Sequence, residues 1–386
     1  MSFNPPSRVR RGHAYSADPD QVADELYQQL WQPDCSLVLL FVAPDYQLDK
    51  LAAALTRRFG DVLVVGCTTA GEISPDGYRS HSIAGVSFAE PDFFAVVQRI
   101  DDLHDFDLSD ALGTVMSARY SLGQKADFPL DRHTFALLLV DGLSAREEQL
   151  AGRLARALGD IPICGGSAGD NMRFERTQVL VDGQFLSDSA ALVLVATPYP
   201  FEVFKSEHAI RSGERVVVTE ADAERRLVTE INAEPAAAEY ARLLGVSPEK
   251  LTPLSFAAHP LVLNVGGVPY VRSIQRINPD LSLSFFCAID EGIVLSGTRA
   301  TDIVDNLART FRDLHSRLGD FQIVLGFDCI LRTLPLHQSD TIARLSALLV
   351  ANSVVGFSTY GEQYQAMHVN QTFTGIAIGY GKRHHG

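Results

Sequence analysis

Long apolar runs are missing from these 386 residues. None approaches the roughly 18 residues that a membrane helix requires. The opening stretch, MSFNPPSRVRRGHAYSADP, has no apolar core of the kind a secretion signal carries. Cysteine is scarce: Cys35, Cys67, Cys164, Cys287 and Cys329 are scattered, odd in number and without a CxxC pair. That pattern argues against a disulfide framework or a thiolate zinc site, and with the missing leader it sets a cytoplasmic location as the expectation. Positive charge is also short. Lys and Arg number 33 against 47 Asp and Glu, a net charge of -14, and Arg8 to Arg11 is the nearest approach to a basic cluster. Such a surface repels phosphate backbones and anionic lipid, so neither nucleic acid nor membrane is an expected partner. The P-loop, H-E-x-x-H and G-x-S-x-G patterns are absent, and the glycines of CGGSAGD lack the G-x-G-x-x-G spacing.

Forty-six per cent of the residues are hydrophobic, enough for a sizeable core, and the length points to more than one domain. One pattern recurs along the chain. Leu37 to Val42 reads as a buried strand; Leu48, Leu51, Ala52, Leu55 and Phe59 mark a helix closed by Gly60; Val62 to Val65 is a second strand running into Gly66. Strands over Ser82 to Phe88 and Phe93 to Ile100 follow. The order returns with Phe135 to Val140, a helix through Leu150, Leu154 and Leu158 ending at Gly159, and Ile161 to Cys164. A fainter copy runs from Phe321 to Phe327, through Ile342, Leu345 and Leu349, to Ser353 to Val355. Strand–helix–strand units form parallel crossovers, and the added strands look antiparallel. The fold class expected is therefore α/β (α+β), with mixed sheets and packed helices in two domains. An N-terminal extension and first helix occupies residues 1–30, and one domain spans 31–200, with repeats near 35–100 and 134–204. The second domain, 201–386, begins after the strand-breaking Thr197 to Pro200. Within it, hairpins are predicted around Gly266-Gly267 and between Leu283–Ala288 and Gly292–Ser296, and a helix over Thr301 to Leu318.

Each repeat ends in a turn of similar wording: VGCTTAGE, CGGSAGD and GFSTYGE. The turn reads two ways. Glycines at positive φ can present successive N–H groups to an anion, hydroxyls add hydrogen bonds, and a carboxylate can pair with an ammonium group. This makes Gly66, Cys67, Thr68, Thr69, Gly71 and Glu72, then Gly166, Ser167, Gly169 and Asp170, then Thr359, Gly361 and Glu362, candidate ligand-binding residues for a zwitterion such as an amino acid. Alternatively the glycines only permit a tight turn and the acid ties down loop amides. Cys67 and Cys164 have no histidine close in sequence, so packing is the expected role for both and no catalytic residue is assigned; an enzyme using one of them with a histidine and a carboxylate brought together by the fold is the lesser alternative. The acidic run Asp101 to Asp110 reads as a solvated loop. His208, His259 and His368 lie near apolar segments, where a neutral imidazole can ligate haem iron.

VVGCTTAGEIS resembles the signature of the FIST N-terminal domain. EINAEPAAAEYARLLG, FAAHPL and GVPYVRSI, and later GFDCILR, GFSTYGE and NQTFTGIAI, resemble the FIST C-terminal domain. The resemblance covers nearly all of the chain after about residue 30 and implies a bacterial intracellular sensory module for small ligands such as amino acids, not an enzyme. With the length consumed by two FIST halves, it implies signalling through a separate protein. One branch of similar length and layout, the nitric oxide sensing proteins, binds haem and regulates a partner histidine kinase. That branch implies haem as cofactor, with His208 and His259 as candidate ligands chosen from their setting. A homodimer is a further expectation.

Overall fold

The computed structural model describes residues 8–207, 209–265, 268–336 and 340–381. Three units share one plan. The first runs β1 (Val9–Ala14), α1 (Pro19–Leu30), β2 (Cys35–Val42), α2 (Leu48–Phe59), β3 (Leu63–Thr68), the hairpin β4 (Glu72–Ser74) and β5 (Gly77–Arg79), and β6 (Ile83–Ala89). The second repeats this with β7 (Phe94–Asp101), α3 (Leu108–Lys125), β8 (Thr134–Val140), α4 (Glu147–Leu158), β9 (Ile163–Ser167), the hairpin β10 (Val179–Val181) and β11 (Gln184–Leu186), and β12 (Ser189–Ala196). The third opens with β13 (Phe201–Glu207) and is at once interrupted by an inserted subdomain. This comprises β14 (Ala209–Asp222), β15 (Leu227–Ile231), β16 (Glu234–Pro235), α5 (Ala236–Leu244), α6 (Pro253–Ala258), β17 (Leu261–Val265), β18 (Val268–Arg272), β19 (Ile274–Ile277), β20 (Leu283–Phe285) and β21 (Val294–Ala300). The unit then resumes with α7 (Ile303–Leu318), β22 (Phe321–Cys329), α8 (Ile330–Thr333), α9 (Asp340–Ala351), β23 (Val354–Thr359), the hairpin β24 (Glu362–Tyr364) and β25 (Met367–Val369), and β26 (Thr372–Gly379).

The sheets exchange hairpins in a ring. The first orders β1-β6-β2-β3-β10-β11, the second β25-β24-β9-β8-β12-β7 and the third β13-β26-β22-β23-β4-β5. Each sheet thus ends in the hairpin of another unit, a pseudo-threefold cycle in which no unit completes its sheet alone. The inner faces pack together through one apolar cluster that draws on all three units, with Phe41, Phe327 and Phe357 in ring contact. The helices cover the outer faces. α1 and α2 share a cluster with the first sheet, α3 and α4 with the second, α7 and α9 with the third. The mixed α/β class expected of the sequence is the one observed. α2 buries Leu51, Ala52, Leu55 and Phe59 and stops at Gly60, and α4 buries Leu150, Leu154 and Leu158 and stops at Gly159. Both glycines have positive φ (59° and 64°), which a side chain would resist.

Some expectations change. The acidic stretch before residue 110 runs into α3, where Asp107 and Asp110 form a capping box, so these two carboxylates serve a helix start. Leu283–Ala288 and Gly292–Ser296 do not pair as a hairpin: β20 joins β15 and β19, while β21 joins β14 and β17. β17 and β18 do pair, and their tip at Gly266 and Gly267 lies outside the described residues. Residues 197–200 separate β12 from β13. Among the described residues no helix is long and apolar enough to cross a membrane.

The glycine that enters each turn is explained by contact. Gly66, Gly165 and Gly356 sit beside Leu40, Leu138 and Gly326 on the neighbouring parallel strand. A Cβ at these positions would lie 2.0, 1.9 and 1.7 Å from the neighbour's carbonyl oxygen. None of the three has positive φ, so the φ argument gives way to close backbone approach. Gly165→Ala is expected to lower the unfolding free energy by about 3 kcal/mol or more, or to prevent folding. Gly152→Ala in α4, where the nearest atom is 3.8 Å away, serves as the control and should be neutral or stabilising in the same urea titration.

Candidate functional site

The turns at the carboxyl ends of the parallel strands, where open α/β sheets hold their ligands, lock onto one another. Ala70 N donates to the Ser358 carbonyl (2.9 Å) and Ser358 N to that of Gly71 (2.7 Å). Ser167 N donates to the Gly361 carbonyl (2.8 Å) and Tyr360 N to that of Ser167 (3.3 Å). Gly169 N donates to the Thr68 carbonyl (2.9 Å), and Gln178 N to Thr68 Oγ1 (3.0 Å). A Cβ on Gly169 would strike Ala70 N, and one on Gly361 would strike His368. These N–H groups close the ring of turns instead of forming an anion nest.

The acids follow. Glu72 is fully buried and accepts from Thr69 Oγ1 (2.5 Å), Ser82 N (3.2 Å) and Ser82 Oγ (2.6 Å). Glu362 repeats the arrangement with Thr359 Oγ1, Thr372 N (3.2 Å) and Thr372 Oγ1 (2.6 Å). Burial raises Glu72 to about 7 and Glu362 to about 8, against the hydroxyl and amide donors that favour the charged form. Asp170 differs. Burial raises its pKa, but Tyr360 Oη and the amides of Arg176, Glu175 and Phe174 outweigh that and hold it below its ordinary value. By strand register, the place of Glu72 and Glu362 is taken in the second unit by Val179, opposite Cys67. Asp170 belongs to a longer loop over residues 168–178, so its match to Glu72 is one of wording and not of position. Gly166 corresponds to Cys67 and Phe357, and its missing side chain makes room for the Phe357 ring. Cys67 and Cys164 are fully buried, and burial pushes both thiols up, away from the thiolate a nucleophile needs.

The unit symmetry breaks in the third copy, under the inserted subdomain. Asp328 stands where the register places Val42 and Val140. Its carboxylate takes Arg332 Nε (2.6 Å) and Nη2 (3.1 Å), both side chains being wholly buried, and the Tyr78 hydroxyl as well. Arg332 Nη1 has no hydrogen-bond partner among the described residues, and neither has Gln371 Oε1. The two residues line one pocket of about 170 Å³, with Ala257, Ala258, Pro260, Ile303 and Leu336 among its walls. Gln371 Nε2 meanwhile donates to the Ala257 carbonyl (2.9 Å), tying the core to α6. A single water fills roughly 10–15 Å³, so this pocket has room for a small molecule, below the usual ligand sites of roughly 300–1,000 Å³.

Two further pockets open beside the equivalent loops of the other units. One, of about 260 Å³, includes Pro44, Tyr46, Asp49, Thr68, Asp170 and Arg176; another, of about 190 Å³, includes Gly142, Leu143, Arg225, Arg226, Arg276 and Tyr360. Beside the latter the inserted subdomain is clamped to α4. Arg226 Nη2 reaches Glu147 (2.6 Å), Arg226 Nη1 the Phe286 carbonyl (2.6 Å), and Ala288 N donates to Glu148 (2.7 Å). Of the turn candidates, then, Thr68 and Asp170 line a pocket, while Glu72 and Glu362 are bound inward. Sequence reasoning missed Arg332 and Gln371. Their signal was a buried arginine four residues beyond an aspartate in an otherwise apolar strand, a pattern only the fold makes visible.

A haem held by histidine needs an imidazole facing an apolar cavity. His208 lies outside the described residues. His259 is exposed at the end of α6, and its carbonyl accepts from Tyr240 Oη (2.8 Å). His368 is buried against Gln363 (3.1 Å), and burial, then Arg226 and Arg272, hold it neutral. A Cβ on Gly361 would lie 2.5 Å from its Nε2, which leaves no room there for a macrocycle. Neither His259 nor His368 presents an imidazole to a cavity that would take haem. Among them, no three His, Cys, Asp or Glu side chains group as a metal site would need.

Residues 36–234 match the family model of the FIST N domain and residues 236–365 that of the FIST C domain. The division between them falls inside the inserted subdomain. No curated protein matches the sequence. Among solved structures, a crystal structure of cyanuric acid hydrolase from A. caulinodans is similar at 10% identity over 97% of this chain and 99% of that one, with a TM-score of 0.38. PurLQS from Thermotoga maritima is similar at 11% identity over 96% of this chain and 72% of that one, with a TM-score of 0.19. Neither likeness is close enough to argue from.

Because Glu72 and Glu362 are raised above their unfolded values, the folded state binds more protons, so their contribution to stability is complete below about pH 4.5 and is lost as pH rises through about 7 to 8. Glu72→Gln and Glu362→Gln, each able to keep most of the local hydrogen bonds, should flatten the fall in urea midpoint between those limits. An unchanged pH profile would show that the acids are ionised at no cost.

Proposed function

The chain belongs to the FIST family, and from that premise we propose that it is a sensory protein that holds a small zwitterion, an α-amino acid with a small apolar side chain, in the pocket of Arg332 and Gln371. The observation that carries the reading is a pair of buried polar atoms without partners among the described residues, one donor and one acceptor, on two residues that line a single apolar-walled pocket. Arg332 Nη1 suits a carboxylate and Gln371 Oε1 an ammonium group. A zwitterion is favoured over a simple anion because Asp328 already neutralises Arg332, so a lone anion would add an uncompensated buried charge.

The pocket takes its walls from two bodies, α6 and β21 of the inserted subdomain and, in the core, Ile303 of α7, Arg332 of α8 with Pro335 and Leu336 after it, and Gln371 ahead of β26. A ligand touching both binds the docked arrangement better than an undocked one, and such differential binding is what any sensor requires. We propose that the altered subdomain is read by a separate signalling protein, with a histidine kinase as the form that the nitric oxide sensing branch suggests.

A thermal-shift screen with free amino acids tests the ligand. Saturable stabilisation is expected, about 2.7 kcal/mol at a hundredfold excess over Kd, with no response to acetate or to simple alkylamines. Ala258→Trp, which fills the pocket from an exposed position, should abolish it. A silent panel, or a shift that survives Ala258→Trp, would sink the assignment. The haem form of the sensor has its own test: the absorbance spectrum of protein purified with haem supplied is expected to lack a Soret band, and a Soret band would move the sensing role away from this pocket.

A further inference from the structure

Two pockets on the inserted subdomain share a wall. The larger, of about 420 Å³, takes Arg225, Arg276, Asn278, Asp280, Ser282 and Ser284 into its lining, and small-molecule sites run from roughly 300 to 1,000 Å³. The smaller, of about 190 Å³ beside Tyr360, is lined by Arg225, Arg276 and Ser284 as well. Arg225 comes from the turn between β14 and β15, and Arg276 from β19. β20 lies between them, with Ser284 opposite Leu227 on one side and Arg276 on the other. Two strand spacings set the arginine backbones about 10 Å apart, so both guanidinium groups can reach one bound group. Their neighbour Arg226 is spent on Glu147. The side chains of Arg225 and Arg276 have no ion pair or hydrogen bond among the described residues. The floor of the larger pocket is organised from within. Asn278 Nδ2 donates to Ser282 Oγ (3.0 Å) and Ser284 Oγ (3.1 Å). Ser282 in turn gives its hydroxyl (2.6 Å) and its N–H (3.1 Å) to Asp280 Oδ1. Ser284 is buried and keeps its hydroxyl proton for an acceptor in the pocket.

Two unspent guanidinium groups and a hydroxyl donor, against one engaged carboxylate, suit an anion of more than one charge. A carboxylate has two oxygens and satisfies one guanidinium. A phosphoryl group has three acceptor oxygens and nearly two negative charges at neutral pH, enough for both. With a net charge of -14, the chain does not attract anions at large, so one that binds needs a local site. Beyond the shared arginines, the smaller pocket adds Leu143, Phe286 and Tyr360. We propose that the two pockets together form a second ligand site, for a phosphate monoester of a small molecule. The phosphoryl group sits between Arg225 and Arg276 on the Ser284 hydroxyl, and the apolar body lies against Leu143, Phe286 and Tyr360. No residue of this site lines the pocket of Arg332, so it does not depend on the amino-acid reading.

Isothermal titration calorimetry on the full chain tests this with phenyl phosphate, inorganic phosphate and benzoate at fixed ionic strength. Phenyl phosphate is expected to bind at one site. Inorganic phosphate should bind about tenfold more weakly, because it leaves the apolar wall uncovered, and benzoate should give no measurable heat. Arg225→Gln and Arg276→Gln should each weaken phenyl phosphate about tenfold, with an unchanged circular dichroism spectrum, because both side chains are exposed. No binding of phenyl phosphate, binding that survives the two substitutions together, or benzoate binding as tightly would overturn the site. Equal affinity for phenyl and inorganic phosphate would overturn the ester in favour of free phosphate.

Discussion

Three close approaches of backbone to backbone set the rest of this structure. Where Gly66, Gly165 and Gly356 pass the carbonyls of Leu40, Leu138 and Gly326, no side chain fits. The strand ends are thereby drawn close enough for the three turns to exchange N–H···O=C bonds in a closed ring. Each turn then sends its hairpin into the next sheet. The cost of ordering any one unit is offset only when the other two are present, so the core forms as a whole. The buried glutamates belong to this arrangement. Glu72 binds Ser82, just ahead of β6, and Glu362 binds Thr372, the first residue of β26, which fixes where each hairpin ends.

Symmetry separates structure from function here. Residues that are the same in every unit have structural explanations, and departures from the plan cluster where the inserted subdomain meets the third unit. Val42 and Val140 give way to Asp328, paired with Arg332. Ile73–Tyr78 and Leu180–Phe185 give way to Gln363–His368. Among the described residues, buried polar atoms without partners concentrate there too: Arg272 Nε, Ser273 Oγ, Arg332 Nη1, Gln363 Oε1, His368 Nε2, Asn370 Oδ1 and Gln371 Oε1. Buried polar groups are expensive unless satisfied, and local rules are broken mainly where a site requires it. The inserted subdomain has its own apolar core and meets the rest through Arg226 to Glu147 and Ala288 to Glu148 on one flank, Gln371 to Ala257 on the other, and an apolar cluster in which Ala257 and Phe286 pack with Ala70, Cys329 and Tyr360. Such a body can register a ligand lodged beneath it.

The repeat was legible in the sequence because its strands are continuous apolar runs and its helices have clear periodicity with glycine stops. The α/β class followed from that order. β1, α3 and the hairpins were not legible. The hairpin strands are three residues each and carry no period, and α3 wears apolar residues on both faces, which blurs its stripe. The repeated turn was found, but its wording misled at Asp170, where a longer loop brings an acid into line while Val179 holds the structural position. His259 stands between apolar segments in sequence and yet ends a helix in the open. Arg332 and Gln371 were invisible because nothing local pairs them; they meet only after β22 and β26 lie side by side and α6 covers both.

Hydrogen exchange with and without the most stabilising amino acid is the most direct test of where this protein binds. The account predicts added protection in residues 253–260 and 328–336, on the two walls of the pocket, and none in the turn amides at 66–72 and 165–170, which the ring of turns already protects. Protection confined to those turns, with the α6 segment unchanged, would contradict it and return the ligand to the loops.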